Sequence, residues 1–183
     1  MKRLLIIAAV AIVTLTAAGW LASPRIVTVL TDRVAARNRE KNRLPDDALH
    51  ALITDPKLIL FSIDPDHGTA SSPEVPTFQR WPVLGQTTIA TSGQRQQLAD
   101  TLQDGLGRWS GREVVSCFSP RHAIRANNDA QTFDFLICFE CGRLYYYHPN
   151  SDRRHLNIRT KAGPFDDILA AADIPMPKQP QQQ

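Results

Sequence analysis

The chain has 183 residues, enough for one domain of ordinary size with a hydrophobic core of its own. Its formal charge of +3 is concentrated near the N-terminus, since from Leu44 onward 13 basic side chains face 16 acidic ones. A nucleic-acid-binding protein would spread positive charge over its folded domain, so no nucleic-acid partner is expected.

Residues 1–24 read as a signal anchor or signal peptide. Lys2 and Arg3 precede an uncharged run of 20 residues, Leu4 to Ser23. About 20 apolar residues suffice to span a bilayer, whereas the apolar part of a cleaved signal is usually about 7–15 long. The run is therefore read as a retained anchor through residues 4–23, with cleavage after Ala18 or Gly19 as the alternative. Lipoprotein processing is excluded, because Trp20 stands where the lipidated cysteine would be. A short amino-terminal tail with a signal-like start favours an exported domain at a bacterial inner membrane, facing the periplasm. The alternative is secretion to the periplasm after cleavage. Six basic residues between Arg25 and Arg43 weigh against that orientation under the positive-inside rule.

Residues 25–44 read as a basic juxtamembrane helix. Ser23-Pro24 suits a helix start, and Ile26, Val27, Leu30 and Val34 follow helical spacing. Residues 45–175 read as the folded domain. Asp46 and Asp47 open a short helix over ALHALI, where acids suit the positive end of the helix dipole. Lys57 to Ile63 is a strand between two prolines, and Asp64 to Pro82 is a loop. Val83 to Thr91 is a second strand. Ser92 opens a helix to Trp109, with Leu98, Leu102, Leu106 and Trp109 on one stripe. Val114 to Phe118 is a third strand. His122 to Ala126 and Thr132 to Phe139 form a hairpin across NNDA, and Leu144 to His148 pairs with Leu156 to Thr160. Pro164, Asp166 and Asp167 open a last helix. Residues 176–183 read as a disordered Pro/Gln tail.

Consecutive strands joined by tight turns are antiparallel. The fold class is therefore α+β, with a single mainly antiparallel twisted sheet, helices on one face and a hydrophobic helix ahead of it.

All three cysteines lie between Glu113 and Tyr147. The candidate functional cluster is Cys117, Arg121, His122, Cys138, Glu140 and Cys141. Three readings remain open. Cys117, His122, Cys138 and Cys141 can hold zinc as three thiolates and an imidazole. Cys117 can form a disulfide with Cys138 or Cys141, which an exported domain favours. All three can be buried, reduced core residues, with no cofactor. In a flat strand Cys138 and Cys141 point to opposite faces, so any partnership between them needs a turn over Phe139 to Gly142. A thiol hydrolase can also be sketched, with Cys117 as nucleophile, His122 as base and Glu140 or Asp134 as orienting group. The bland alternative pairs Arg121 with Glu140 or Asp134 as a structural anchor. No phosphate loop, dinucleotide fingerprint, GxSxG elbow or HExxH is present.

The segments WPVLGQTTI, CFSPRHAIR, DFLICFEC and the closing PFDDIL…IP resemble a family of small bacterial proteins of unknown function that share CFxPRHxIR and ICFEC segments. The resemblance covers Arg80 to Pro175 and departs from the family pattern at Gly142 and the tyrosines after it. It implies an independently folding domain behind an export or anchor segment, and no activity. The sequence thus favours a non-enzymatic binding or interaction module for an unknown protein or small ligand. The alternative is a metal-binding or thiol-dependent protein built on the cysteine cluster.

Overall fold

The structure, a computed structural model, describes residues 36, 40–66, 74–109, 117–128, 131–148 and 153–177. The anchor segment and residues 114–116 lie outside them. The chain divides into two units, 1–41 and 42–183. Asn42 and Leu44 thus belong to the sheet-bearing unit, and residues 43–45 are not helical, which corrects the end of the basic helix. The cause is local. Leu44 is buried in the core, and the Asn42 amide donates to the carbonyls of Leu106 (2.9 Å) and Asn157 (2.7 Å).

The sheet-bearing unit is α+β, with three helices and seven antiparallel strands among its described residues. In chain order these are α1 (Asp46–Thr54), β1 (Ile59–Ile63), β2 (Thr77–Phe78), β3 (Trp81–Thr88), α2 (Ser92–Gly107), β4 (His122–Asn128), β5 (Gln131–Cys138), β6 (Arg143–Tyr147), β7 (Arg154–Asn157) and α3 (Gly163–Ala171). The sheet order is β2-β3-β1-β4-β5-β6-β7, so α2 carries the chain from one side of β1 to the other before a four-strand meander.

Local chemistry sets the helix limits. Helix α1 begins after Pro45 with Asp46 and Asp47 in its first turn, and it stops at Asp55 before Pro56. The Asp55 carboxylate then accepts the backbone N–H of Lys57 (2.8 Å) and that of Asn127 (2.7 Å), tying the helix end to β4. Thr91 caps α2 by accepting the Gln94 N–H at 3.2 Å. The stripe of α2 is Leu98, Ala99, Leu102, Gly105 and Leu106, all buried. Gly105 is required by close approach, since a Cβ there would lie 2.7 Å from Ile158 and 2.8 Å from Thr160.

Strand alternation divides the sheet into two faces. Leu60, Ile124, Phe133, Phe135, Ile137, Leu144, Tyr146 and Leu156 share one cluster with the buried residues of all three helices. Phe61, Ile63, Phe78, Ala123 and Leu136 form a smaller cluster on the other face, flanked by half-buried Trp81, Phe118, Tyr145 and Tyr147. Phe118 touches both Trp81 on β3 (6.1 Å between ring centroids) and Tyr145 on β6 (4.1 Å). Three strands separate β3 from β6 in the sheet, so the sheet curls toward this face.

After α3 the chain returns to the sheet. The Ser62 hydroxyl donates to the Pro175 carbonyl at 2.6 Å, and Pro177 is buried. Pro177, read from sequence as part of the tail, thus packs against the sheet, where Arg121 bonds its carbonyl.

Candidate functional site

Strand β5 ends at Cys138 and the chain turns at once. Gly142 adopts φ 64°, a left-handed conformation open to glycine, and its N–H donates to the Phe139 carbonyl at 3.3 Å. The Gly142 carbonyl accepts the Ile158 N–H at 2.9 Å, which pins the turn to the end of β7. This turn reverses the parity that separates Cys138 from Cys141 in a flat strand. The two form a disulfide with Cα atoms 5.2 Å apart, and the Cys141 N–H donates to Cys138 Sγ at 3.1 Å. Cys138 is fully buried and Cys141 nearly so.

The bridge is not the one expected. The disulfide reading, one of the three left open by the sequence, joins Cys117 to Cys138 or Cys141, whereas Cys117 is the free and exposed cysteine. Pairing with Cys138 needed Cys117 in a strand beside β5. Both neighbours of β5 are already taken, by β4 and β6, and Cys117 to Pro120 is not in a strand. The segment instead crosses the curled face, placing Cys117 Sγ 3.5 Å from Cys141 Sγ. The Ser119 N–H points at the same sulfur, also at 3.5 Å. The three sulfurs are therefore consecutive neighbours, Cys117 to Cys141 to Cys138.

His122 does not join them. It opens β4 opposite Ile137 and shares that residue's helix-covered face, while Cys138, one residue on, points the other way. His122 Nε2 lies 2.8 Å from Asp166 Oδ1 at the start of α3, and its ring sits between Phe139 and Phe165. Its Nδ1 is buried with no partner. The zinc tetrad, one of the three readings, is thus not assembled: the imidazole is on the other face, and two of the three sulfurs are bonded to each other. Among the described residues no three His, Cys, Asp or Glu side chains converge as metal ligands. The hydrolase arrangement is not formed either, because His122 bonds to Asp166 and Cys117 contacts Cys141.

Arg121 takes the anchoring role. It is buried, with Nε 3.3 Å from Glu140 Oε1 and Nη1 donating to the Pro177 carbonyl at 3.4 Å. Glu140 Oε2 also lies 3.9 Å from Cys138 Sγ, so the guanidinium offsets a carboxylate beside the bridge. Asp134 has a different cation: Arg125 binds it through two 2.8 Å bonds, and Gln79 Nε2 adds a third at 2.7 Å. The Asp134 hydrogen bonds raise the Arg125 pKa against the opposing effect of burial. On the same face, burial and then the charges of Arg143 and Arg153 push the His155 imidazole below its ordinary value.

Two features escape a reading by residue type. Phe118 packs between aromatic rings and carries Cys117 to the bridge, and Asp166 is the partner of His122 rather than only a helix-start acid. Among the described residues no helix is long and apolar enough to cross a membrane, and residues 4–23 are not among them. Comparison with protein-family models, with curated proteins and with solved structures gives no match.

Proposed function

We propose that the chain is a membrane-tethered thiol–disulfide module of the periplasmic side, with Cys117 as its exposed thiol and the Cys138–Cys141 bridge as its buried reserve. The sequence alone favours a non-enzymatic binding module and leaves the state of its cysteines open. The single observation that moves the reading to its thiol-dependent alternative is the 3.5 Å contact between Cys117 and Cys141. That separation is a near-attack distance, about 3–3.5 Å for reacting atoms. The resemblance to the family with CFxPRHxIR and ICFEC segments agrees with this, because the cysteines of those two segments are the ones that meet. An oxidising compartment suits a domain that holds a disulfide.

The chemistry needs no cofactor. The Cys117 thiol loses its proton to solvent, and the thiolate attacks Cys141 Sγ. The Cys117–Cys141 bond forms, the Cys141–Cys138 bond breaks, and Cys138 leaves with the electron pair and takes up a proton. The Cys141 N–H on Cys138 Sγ stabilises that leaving thiolate. The exchange is redox-neutral and moves the bridge to an exposed sulfur. A partner protein dithiol then attacks Cys117 Sγ, displacing Cys141 as a thiolate, and the partner's second thiol releases Cys117. The partner gains a disulfide, and the module ends with three thiols.

Differential alkylation of the full-length chain tests this. The native protein is labelled with one reagent, then denatured, reduced and labelled with a second. Cys117 is expected to carry the first label, and Cys138 and Cys141 the second. Inert, buried cysteines would give no native label on Cys117. A native label on Cys141, which is bridged both before and after the exchange, would show that the reserve bridge does not exist. Either result ends the proposal.

A further inference from the structure

The end of α2, the exit of β7 and the start of α3 border an open surface cavity of about 520 Å³, lined by Thr101, Asp104, Arg108, Arg159, Thr160 and Lys161. Three cations meet one carboxylate there. Asp104 lies 3.8 Å from Arg108, and both side chains are about 70% exposed, so that pair is weak. Arg159 and Lys161 are exposed and have no acidic partner among the described residues. The Arg159 N–H donates to the Gly105 carbonyl at 2.8 Å, which fixes the β7 exit against the helix and holds the two sides of the cavity together.

The same place receives the tether. Asn42 is the first residue of the sheet-bearing unit. Its side chain bonds the carbonyls of Leu106 and Asn157 and accepts the Asn157 N–H at 2.7 Å. Leu106 and Asn157 each lie two positions before a cavity cation, Arg108 and Arg159. The sheet-bearing unit therefore begins, at Asn42, beside its unpaired positive charge. We infer that this cavity receives the phosphate of an anionic phospholipid headgroup, making it the face that the domain turns to the membrane. The inference rests on the membrane tether of the proposed function and is independent of the cysteines. Guanidinium forks and an ammonium suit phosphate oxygens, and the Thr101 and Thr160 hydroxyls supply neutral donors. Only 18 residues separate the uncharged run, which ends at Ser23, from Asn42, and a tether of that length keeps the headgroups at high effective concentration, which favours lipid phosphate over free phosphate.

The full chain, reconstituted from outside into vesicles, tests the inference through acetylation of Lys161 by a water-soluble reagent, with exposed Lys57 as internal reference. Each basic residue near an anionic surface changes affinity by about fivefold. Replacing phosphatidylcholine by phosphatidylglycerol should therefore slow Lys161 acetylation by at least about fivefold and leave Lys57 unchanged. The Arg108→Gln/Arg159→Gln variant, altered only at exposed side chains, should lose that protection. Equal slowing of both lysines, or none, overturns the site. Protection by inorganic phosphate on phosphatidylcholine vesicles overturns the lipid assignment. Flotation on phosphatidylcholine vesicles reports the tether separately. A chain that does not float there sinks the anchor, and Lys161 protection on anionic vesicles still decides the phosphate site.

Discussion

Replacing Phe135 by alanine is expected to remove a large share of the stability of the sheet-bearing unit. Phe135 is fully buried at the middle of β5, where it pairs with Ile124 on β4 and Tyr146 on β6. Its ring stacks on Tyr146 with centroids 5.4 Å apart. Truncating a buried phenylalanine costs about 3–5 kcal/mol, out of a total stability of about 5–15 kcal/mol for an ordinary domain. The Tyr146 hydroxyl is buried without a partner, and burial, with repulsion from Asp47, pushes its pKa up to about 12. Folding therefore favours the neutral phenol. That contribution is intact below the ordinary tyrosine value of about 10 and is lost as pH rises through about 12. Urea titration of the detergent-solubilised chain, followed by tryptophan fluorescence, should show the Phe135→Ala midpoint falling by about 2 M. Tyr145→Ala, on the half-buried face, should shift it far less. Equal shifts for the two variants would mean that the helix-covered face is not the main core.

Replacing Cys117 by serine is expected to isolate the buried bridge. Cys138 is fully buried and Cys141 7% exposed, so an external protein dithiol reaches them only after local opening. Opening a packed strand end costs about 3 kcal/mol, on the order of a 100-fold reduction in rate. In the wild type the bridge first passes to the exposed Cys117, which removes that requirement. Reduction by a protein dithiol should therefore be roughly 100-fold slower in Cys117→Ser, with the native fold retained because serine is close in size and the site is exposed. Equal rates would show that Cys117 plays no part in reduction.

Much of this architecture is legible in the residues. The β4–β5 hairpin follows from two apolar runs around NNDA, and α2 from a leucine stripe opening at Ser92. Strand β2 is not legible, for a physical reason. Gln79 and Arg80 form its two-residue turn with φ of 48° and 73°, a conformation that sequence reading assigns to Asn-Gly or Asp-Gly. Strand β7 lies two residues earlier than its alternation suggests. Leu156 and Ile158 are both buried, but the ladder to β6 ends at Asn157 opposite Arg143, where the Gly142 turn begins.

The site is legible only in part. Its cysteines stand out by type, and Gly142 marks the turn that they require. Their partnership does not follow from spacing, because strand parity separates Cys138 from Cys141 and only the turn reunites them. His122 looks like a fourth member by proximity in sequence, yet the face it occupies is decided by its register opposite Ile137. Cys117 is drawn to Cys141 by Phe118, whose packing between Trp81 and Tyr145 depends on the curl of the whole sheet. No local pattern carries that information.

The central claim is that Cys117 and Cys141 are close enough to exchange, and the Cys138→Ser variant tests it most directly. With the native bridge removed, the two remaining sulfurs should oxidise into a Cys117–Cys141 disulfide. Intact mass after acid quench would then lie two hydrogens below the reduced value, and peptide mapping would join the segment containing Cys117 to the one containing Cys141. Two free thiols, both alkylated in the native protein under oxidising conditions, would contradict the account.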